Sequence, residues 1–68
     1  MTARAVRSYR DLLDAAAKSP TGTEAYEAVR RVRARMDADA GITHDEWIEL
    51  ALEAGWRMNE ASVRATGA

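Results

Sequence analysis

An all-α fold, a small three-helix bundle, is the reading that three features of this 68-residue chain support. Helix formers dominate, with one Pro and no Phe, and no stretch shows the strict alternation of a half-buried strand. Apolar residues recur at spacings of three and four along three stretches. Those stretches are separated at Ser19-Pro20-Thr21-Gly22 and at Gly41, and a Thr-x-x-Glu pattern accompanies each break. The predicted helices span about residues 3–18, 22–40 and 43–66.

In the first stretch Val6, Tyr9, Leu13 and Ala16 form an amphipathic seam that Leu12 widens. Pro20 stops it, because the residue before a proline is pushed out of the helical region and proline offers no N–H. Thr21-x-x-Glu24 then reads as a capping box, with the Thr hydroxyl covering a free first-turn amide and the Glu carboxylate reaching back to the Thr amide. Ala25, Val29, Val32 and Met36 make the second seam, with Glu27 facing Arg30 and Arg31 on the solvent side. Gly41 is the expected left-handed exit.

The third start carries the strongest local signal: Thr43-x-x-Glu46 is a second capping box, flanked by Ile42 and Trp47 at the two positions of a hydrophobic staple. Beyond it, Ile48, Ala51, Leu52, Gly55, Met58, Ser62 and Val63 read as one inward stripe of the longest helix. Trp56 lies about half a helical circumference from Trp47. Trp56 is therefore either an extension of a wide core stripe or an exposed anchor. Short connections imply that sequential helices pack as antiparallel neighbours in one domain, residues 1–68.

A chain this short supplies a thin core, and small domains commonly add a disulfide, a metal or a partner subunit. With no Cys and a single His, the first two have no residues to build on. The expected supplement is a protein partner or another copy of the chain, with dimerisation completing the bundle. No apolar run approaches the roughly 20 residues a membrane span needs, so no membrane partner is expected and the default location is the cytoplasm. The Arg-rich start resembles a transit peptide in composition, but Asp11 and Asp14 interrupt it and its apolar residues continue the helical seam.

The net charge of -1 conceals an asymmetry: residues 1–36 sum to +4 and residues 37–68 to -5. Arg30, Arg31, Arg33 and Arg35, with Arg4, Arg7 and Arg10, make a basic side suited to phosphates, or a solvated face paired within the fold. Asp45, Glu46, Glu49, Glu53 and Glu60 form an acidic stripe; nothing around them in sequence desolvates them, and no metal motif accompanies them. His44 falls in the first turn of the third helix without a second His, a Cys or a nucleophile at a recognisable spacing. No catalytic, metal or cofactor residue is assigned, and no small-molecule substrate is inferred.

From Trp47 to Arg64 the string WIELALEAGWRMNEASVR resembles a helix-turn-helix unit. Ala51 precedes the turn Gly55 by four positions, Leu50 and Ala54 match neighbouring apolar sites, and Trp56 and Ala61 stand where such units pack the second helix. The resemblance implies a chain reversal at Gly55 and a dimeric DNA-binding regulator, with Arg57, Asn59 and Ser62 among the groove-facing residues. A continuous helix through Gly55 is the competing reading of the same residues.

The leading functional expectation is a non-enzymatic helical adaptor or regulatory module that binds a protein partner, or itself, through apolar helix faces. Leu50, Trp56, Met58 and Val63 are its expected anchors, with Arg31 and Arg35 as steering charges. The second expectation is the small DNA-binding regulator, and a third is an accessory subunit of a larger enzyme.

Overall fold

The computed structural model describes the backbone of residues 3–67 and the side chains of residues 7–67. Arg4 and Val6, expected on the basic side and apolar seam of the first helix, have side chains outside the described residues. Three helices follow in order, α1 (Ala3–Ala17), α2 (Gly22–Asp37) and α3 (His44–Gly67). No strand occurs among the described residues. All three helix pairs are in contact, α2 with α3 most extensively and α1 with α3 least. The bundle is a rod of 39 × 16 × 16 Å, about the length that 24 helical residues of α3 require at 1.5 Å each.

The starts of α2 and α3 follow from their caps. Thr21 is extended (φ -119°, ψ 158°) and its hydroxyl accepts from the Glu24 amide at 3.1 Å; the Glu24 carboxylate makes no return bond among the described residues. The second box is complete. The Thr43 amide donates to Glu46 Oε1 at 2.8 Å and the Glu46 amide donates to Thr43 Oγ1 at 3.2 Å, satisfying two amides that the first turn leaves free. Both staple residues, Ile42 and Trp47, pack half-buried against the core.

The end of α2 differs from expectation. It closes at Asp37 rather than near residue 40, with Ala38 as a right-handed cap at φ -89° and no described glycine at positive φ. Gly41 is thus not a left-handed exit. Asp39 organises the turn instead: its Oδ1 accepts from the Gly41 amide at 2.7 Å and its Oδ2 from the Tyr9 hydroxyl at 2.5 Å. A side chain on α1 and a carboxylate in the turn supply what a glycine conformation was expected to supply.

The core joins Tyr9, Leu13 and Ala16 of α1 to Val29, Val32 and Met36 of α2 and to Leu50 and Ala54 of α3. Leu13, Val29, Met36 and Leu50 are fully buried, each contributing about 1.5–3 kcal/mol of transfer free energy. The inward side of α3 is therefore not the expected stripe. Leu50, Ala54 and Ala61 are buried, while Ile48 and Leu52 are exposed.

The physical reason is helix approach. Ala54 and Ala61 are small, and near the second of them α2 comes so close that a Cβ on Gly22 would lie 2.5 Å from the Ala61 carbonyl oxygen and 2.5 Å from the Ala65 amide. Tight backbone contact selected the inward side of α3, and large side chains at 48 and 52 were left facing out.

Candidate protein-docking face

The helix α3 is continuous through Gly55, so the chain reversal implied by the helix-turn-helix resemblance is not formed. The rest of that reading follows its helix. Arg57 turns towards α1, where its guanidinium meets Asp14 at 2.6 Å and Glu60 at 3.9 Å. Asn59 and Ser62 are exposed, but they share one helix face with Ile48 and Leu52 rather than standing on a separate recognition helix.

That face is the most distinctive surface of the molecule. Ile48, Leu52 and Trp56 recur at i, i+4 and i+8, and Val63 follows at i+15, so all four lie within about a quarter of the helix circumference, opposite Leu50 and Ala61. Their exposures are 40%, 72%, 59% and 59%. The stripe runs about 22 Å from Ile48 to Val63 at 1.5 Å per residue. Its middle is shallow, because Gly55 has no side chain and a Cβ built there would meet nothing within 4 Å.

Among the expected anchors, Trp56 and Val63 are on this face. Met58 is half-buried against the core and contributes only partly. Leu50 is a correction: it is 0% exposed and is a core residue. Arg31 and Arg35 are exposed on α2, and the field of Arg35 acts on Tyr9 and Asp39, which places it on the α1 side of α2. They do not border the α3 stripe. Sequence reasoning missed Ile48 and Leu52 as surface residues by counting them inward; the i, i+4, i+8 run through Trp56 was the available signal.

The charged groups at the borders are held by identifiable contacts. On the α1 side, Glu49 meets Arg10 at 3.3 Å with both side chains well exposed, a pairing of the kind that contributes little in water. Glu53 Oε2 and Arg57 Nε are buried without a partner among the described residues. Arg64 reaches across to the carbonyls of Ala17, Ser19 and Pro20 at 3.1–3.3 Å, where the end of α1 leaves carbonyl oxygens free. Both arginines of α3 are thereby engaged with α1, and Arg57 also lies 5.6 Å over the Trp56 ring, so the border of the outward side carries Arg10 and Arg57 beside its carboxylates.

At the other end, Trp47 is fixed rather than displayed. Its indole N–H donates to Asp37 Oδ1 at 2.7 Å, the Arg33 guanidinium lies 5.1 Å over its ring, and His44 stacks at 6.3 Å. The indole hydrogen bond and then Arg33, which also meets Asp37 at 3.1 Å, hold the Asp37 carboxyl below the usual range. This is the ion pair of α2; the expected pairing of Glu27 with Arg30 or Arg31 does not occur among the described residues. No group of three or more His, Asp or Glu is placed to hold a metal ion among the described residues.

No protein-family model, curated protein or solved structure matches the chain. The functional reading accordingly rests on geometry. A helix apolar on two opposite sides satisfies one of them within its own fold and leaves the other to water. Among the described residues no helix is long and apolar enough to cross a membrane.

Proposed function

We propose that this protein is a non-enzymatic helical adaptor or regulatory module that docks a protein partner through the outward face of α3, acting in the cytoplasm. The observation that carries the reading is the double-sided burial pattern of one helix: Leu50, Ala54 and Ala61 are inside while Ile48, Leu52, Trp56 and Val63 are outside. Trp is among the side chains most enriched at binding hot spots, and Trp56 stands exposed on this helix between aliphatic neighbours. Because the face sits on a helix anchored by a complete cap and by the Arg64 clasp, little ordering entropy is lost when it is covered.

The test compares the wild-type chain with Leu52→Glu as baits in nuclease-treated lysate of the source cells. A protein retained by the wild type and lost by the variant supports docking through this face. Identical sets of captured proteins for the two baits would overturn it. Circular dichroism of Leu52→Glu controls for folding, since a side chain 72% exposed tolerates replacement.

A further inference from the structure

We infer that the occupant of the α3 face is a second copy of this chain, packed antiparallel about a two-fold axis that crosses α3 between Gly55 and Trp56. The inference rests on the docking reading above and names the partner. It follows from three features that share this one centre: the apolar residues, the gap at Gly55 and the charges on the border nearer α1.

A two-fold contact requires a surface that complements itself when turned end for end. Reversing α3 about this centre sets Ile48 level with Val63 of the second copy, and Leu52 level with Asn59, because the members of each pair are equidistant from it. All four are exposed. The same point is the middle of the hollow bounded by Leu52, Gly55, Trp56 and Asn59, which are neighbours at three and four positions on the helix surface. Gly55 leaves one corner of that hollow without a side chain, and nothing lies within 4 Å of where its Cβ would be. The Trp56 indole, the largest side chain of the stripe and 59% exposed, stands beside the axis, so the indole of each copy enters the hollow of the other.

Antiparallel pairing also brings the border nearer α1 against the same border of the second copy, and that border carries both signs. Glu49 meets Arg10 at 3.3 Å and Glu60 meets Arg57 at 3.9 Å. Reversal places Glu60 of the second copy level with residue 51, beside Glu49 and Arg10, so two carboxylates alternate with Arg10 and with Arg57 of the second copy, once on each side of the axis. In a parallel pair the same border would meet Ala51 and Ser62, where α3 offers no charge. A net charge of -1 adds little repulsion between copies. A foreign helix would have to reproduce this reversed order of apolar, small and charged positions, which the chain itself already carries.

Self-association also meets a need of the fold. One copy fully buries only Leu13, Val29, Met36 and Leu50 among its large side chains, and a small domain without disulfides commonly completes its core with a partner subunit. A contact one helix wide and about 22 Å long is small beside the roughly 1,200–2,000 Å² of specific stable interfaces. The dimer is therefore expected to assemble at on the order of 10–100 µM, with the free chain monomeric and Trp56 open to solvent below about 1 µM.

Sedimentation equilibrium of the full chain across this concentration range tests the inference, with circular dichroism confirming that each variant is folded. Wild type is expected to pass from monomer to dimer, and Leu52→Glu to remain monomeric. Arg10→Glu and Glu60→Arg should each dimerise about fivefold more weakly on their own. An equimolar mixture of those two variants should regain wild-type affinity, because each supplies the charge that the other lacks. A wild-type chain that stays monomeric throughout would overturn the second copy as occupant; a different protein captured by wild type and lost in Leu52→Glu would still uphold the docking face. A dimer that Leu52→Glu leaves intact would overturn the use of this face. A dimer lost in Leu52→Glu but indifferent to the Arg10 and Glu60 variants would overturn the antiparallel register.

Discussion

The Tyr9 hydroxyl donates a 2.5 Å hydrogen bond to Asp39 Oδ2, across 30 positions of sequence, and so ties α1 to the turn between α2 and α3. The same carboxylate holds the Gly41 amide at 2.7 Å. One acidic side chain therefore positions both the turn that leads into α3 and the helix packed beside it.

This bond makes stability depend on pH at both ends of the range. Hydrogen bonds from Tyr9 and then from the Gly41 amide lower the Asp39 pKa, so their contribution is present above the ordinary carboxylate range and is lost as pH falls through the lowered value. Tyr9 is raised, first by that hydrogen bond and then by burial; its contribution is full below the ordinary phenol value and is lost as pH rises through the raised one. Tyr9→Phe should be less stable than wild type at neutral pH, with the gap closing as acid protonates Asp39. Urea unfolding of both proteins from pH 2 to pH 7 measures this, and a gap independent of pH would contradict it.

Two glycines of the same chain should respond oppositely to alanine. At Gly22 the new methyl would meet the Ala61 carbonyl oxygen and the Ala65 amide at 2.5 Å, backbone atoms that move only if α2 and α3 separate. Overpacking of this kind costs about 1–3 kcal/mol. At Gly55 the methyl meets nothing within 4 Å, and helix propensity alone should stabilise the fold by about 1 kcal/mol. Denaturant midpoints of Gly22→Ala and Gly55→Ala check both signs.

Leu50 and Leu52 separate core from surface on one helix. Leu50→Ala opens a cavity in a core of few large side chains and should cost about 2–5 kcal/mol, enough to unfold much of a small domain. Leu52→Ala should stay within about 0.5 kcal/mol of wild type, because Leu52 is 72% exposed. Thermal unfolding followed at 222 nm distinguishes them, and similar losses for the two variants would contradict the assigned face of α3.

The two tryptophans give a spectroscopic check. Trp56 is 59% exposed, so Trp47→Phe should leave a red-shifted emission readily quenched by acrylamide. Trp56→Phe leaves Trp47, which sits under Arg33 with its N–H bonded to Asp37, and quenching should be weaker by a factor of about two or more, in line with its partial burial. Equal quenching constants would place both indoles in the same environment, contrary to the structure.

Local patterns were legible before any packing was known. Pro20, the two Thr-x-x-Glu boxes and the Ile42–Trp47 staple act over four to six residues through backbone geometry, and they place the starts of α2 and α3 where the structure has them. The seam Val29, Val32, Met36 was equally readable, because only one side of α2 is apolar. The end of α2 was not, since it depends on Asp39 accepting from a tyrosine on another helix.

By itself the sequence determined the helical class, the number of helices and where they begin, because each rests on contacts between near neighbours. Only the tertiary structure decided which of two apolar sides of α3 would be covered. Both sides offer hydrophobic area, and the larger residues, Ile48, Leu52 and Trp56, lie on the one left outside. The choice fell to the side bearing Ala54 and Ala61, since small residues let α2 approach until Gly22 lies against the α3 backbone. That is a property of two surfaces meeting, and it is also what leaves an apolar face of α3 exposed.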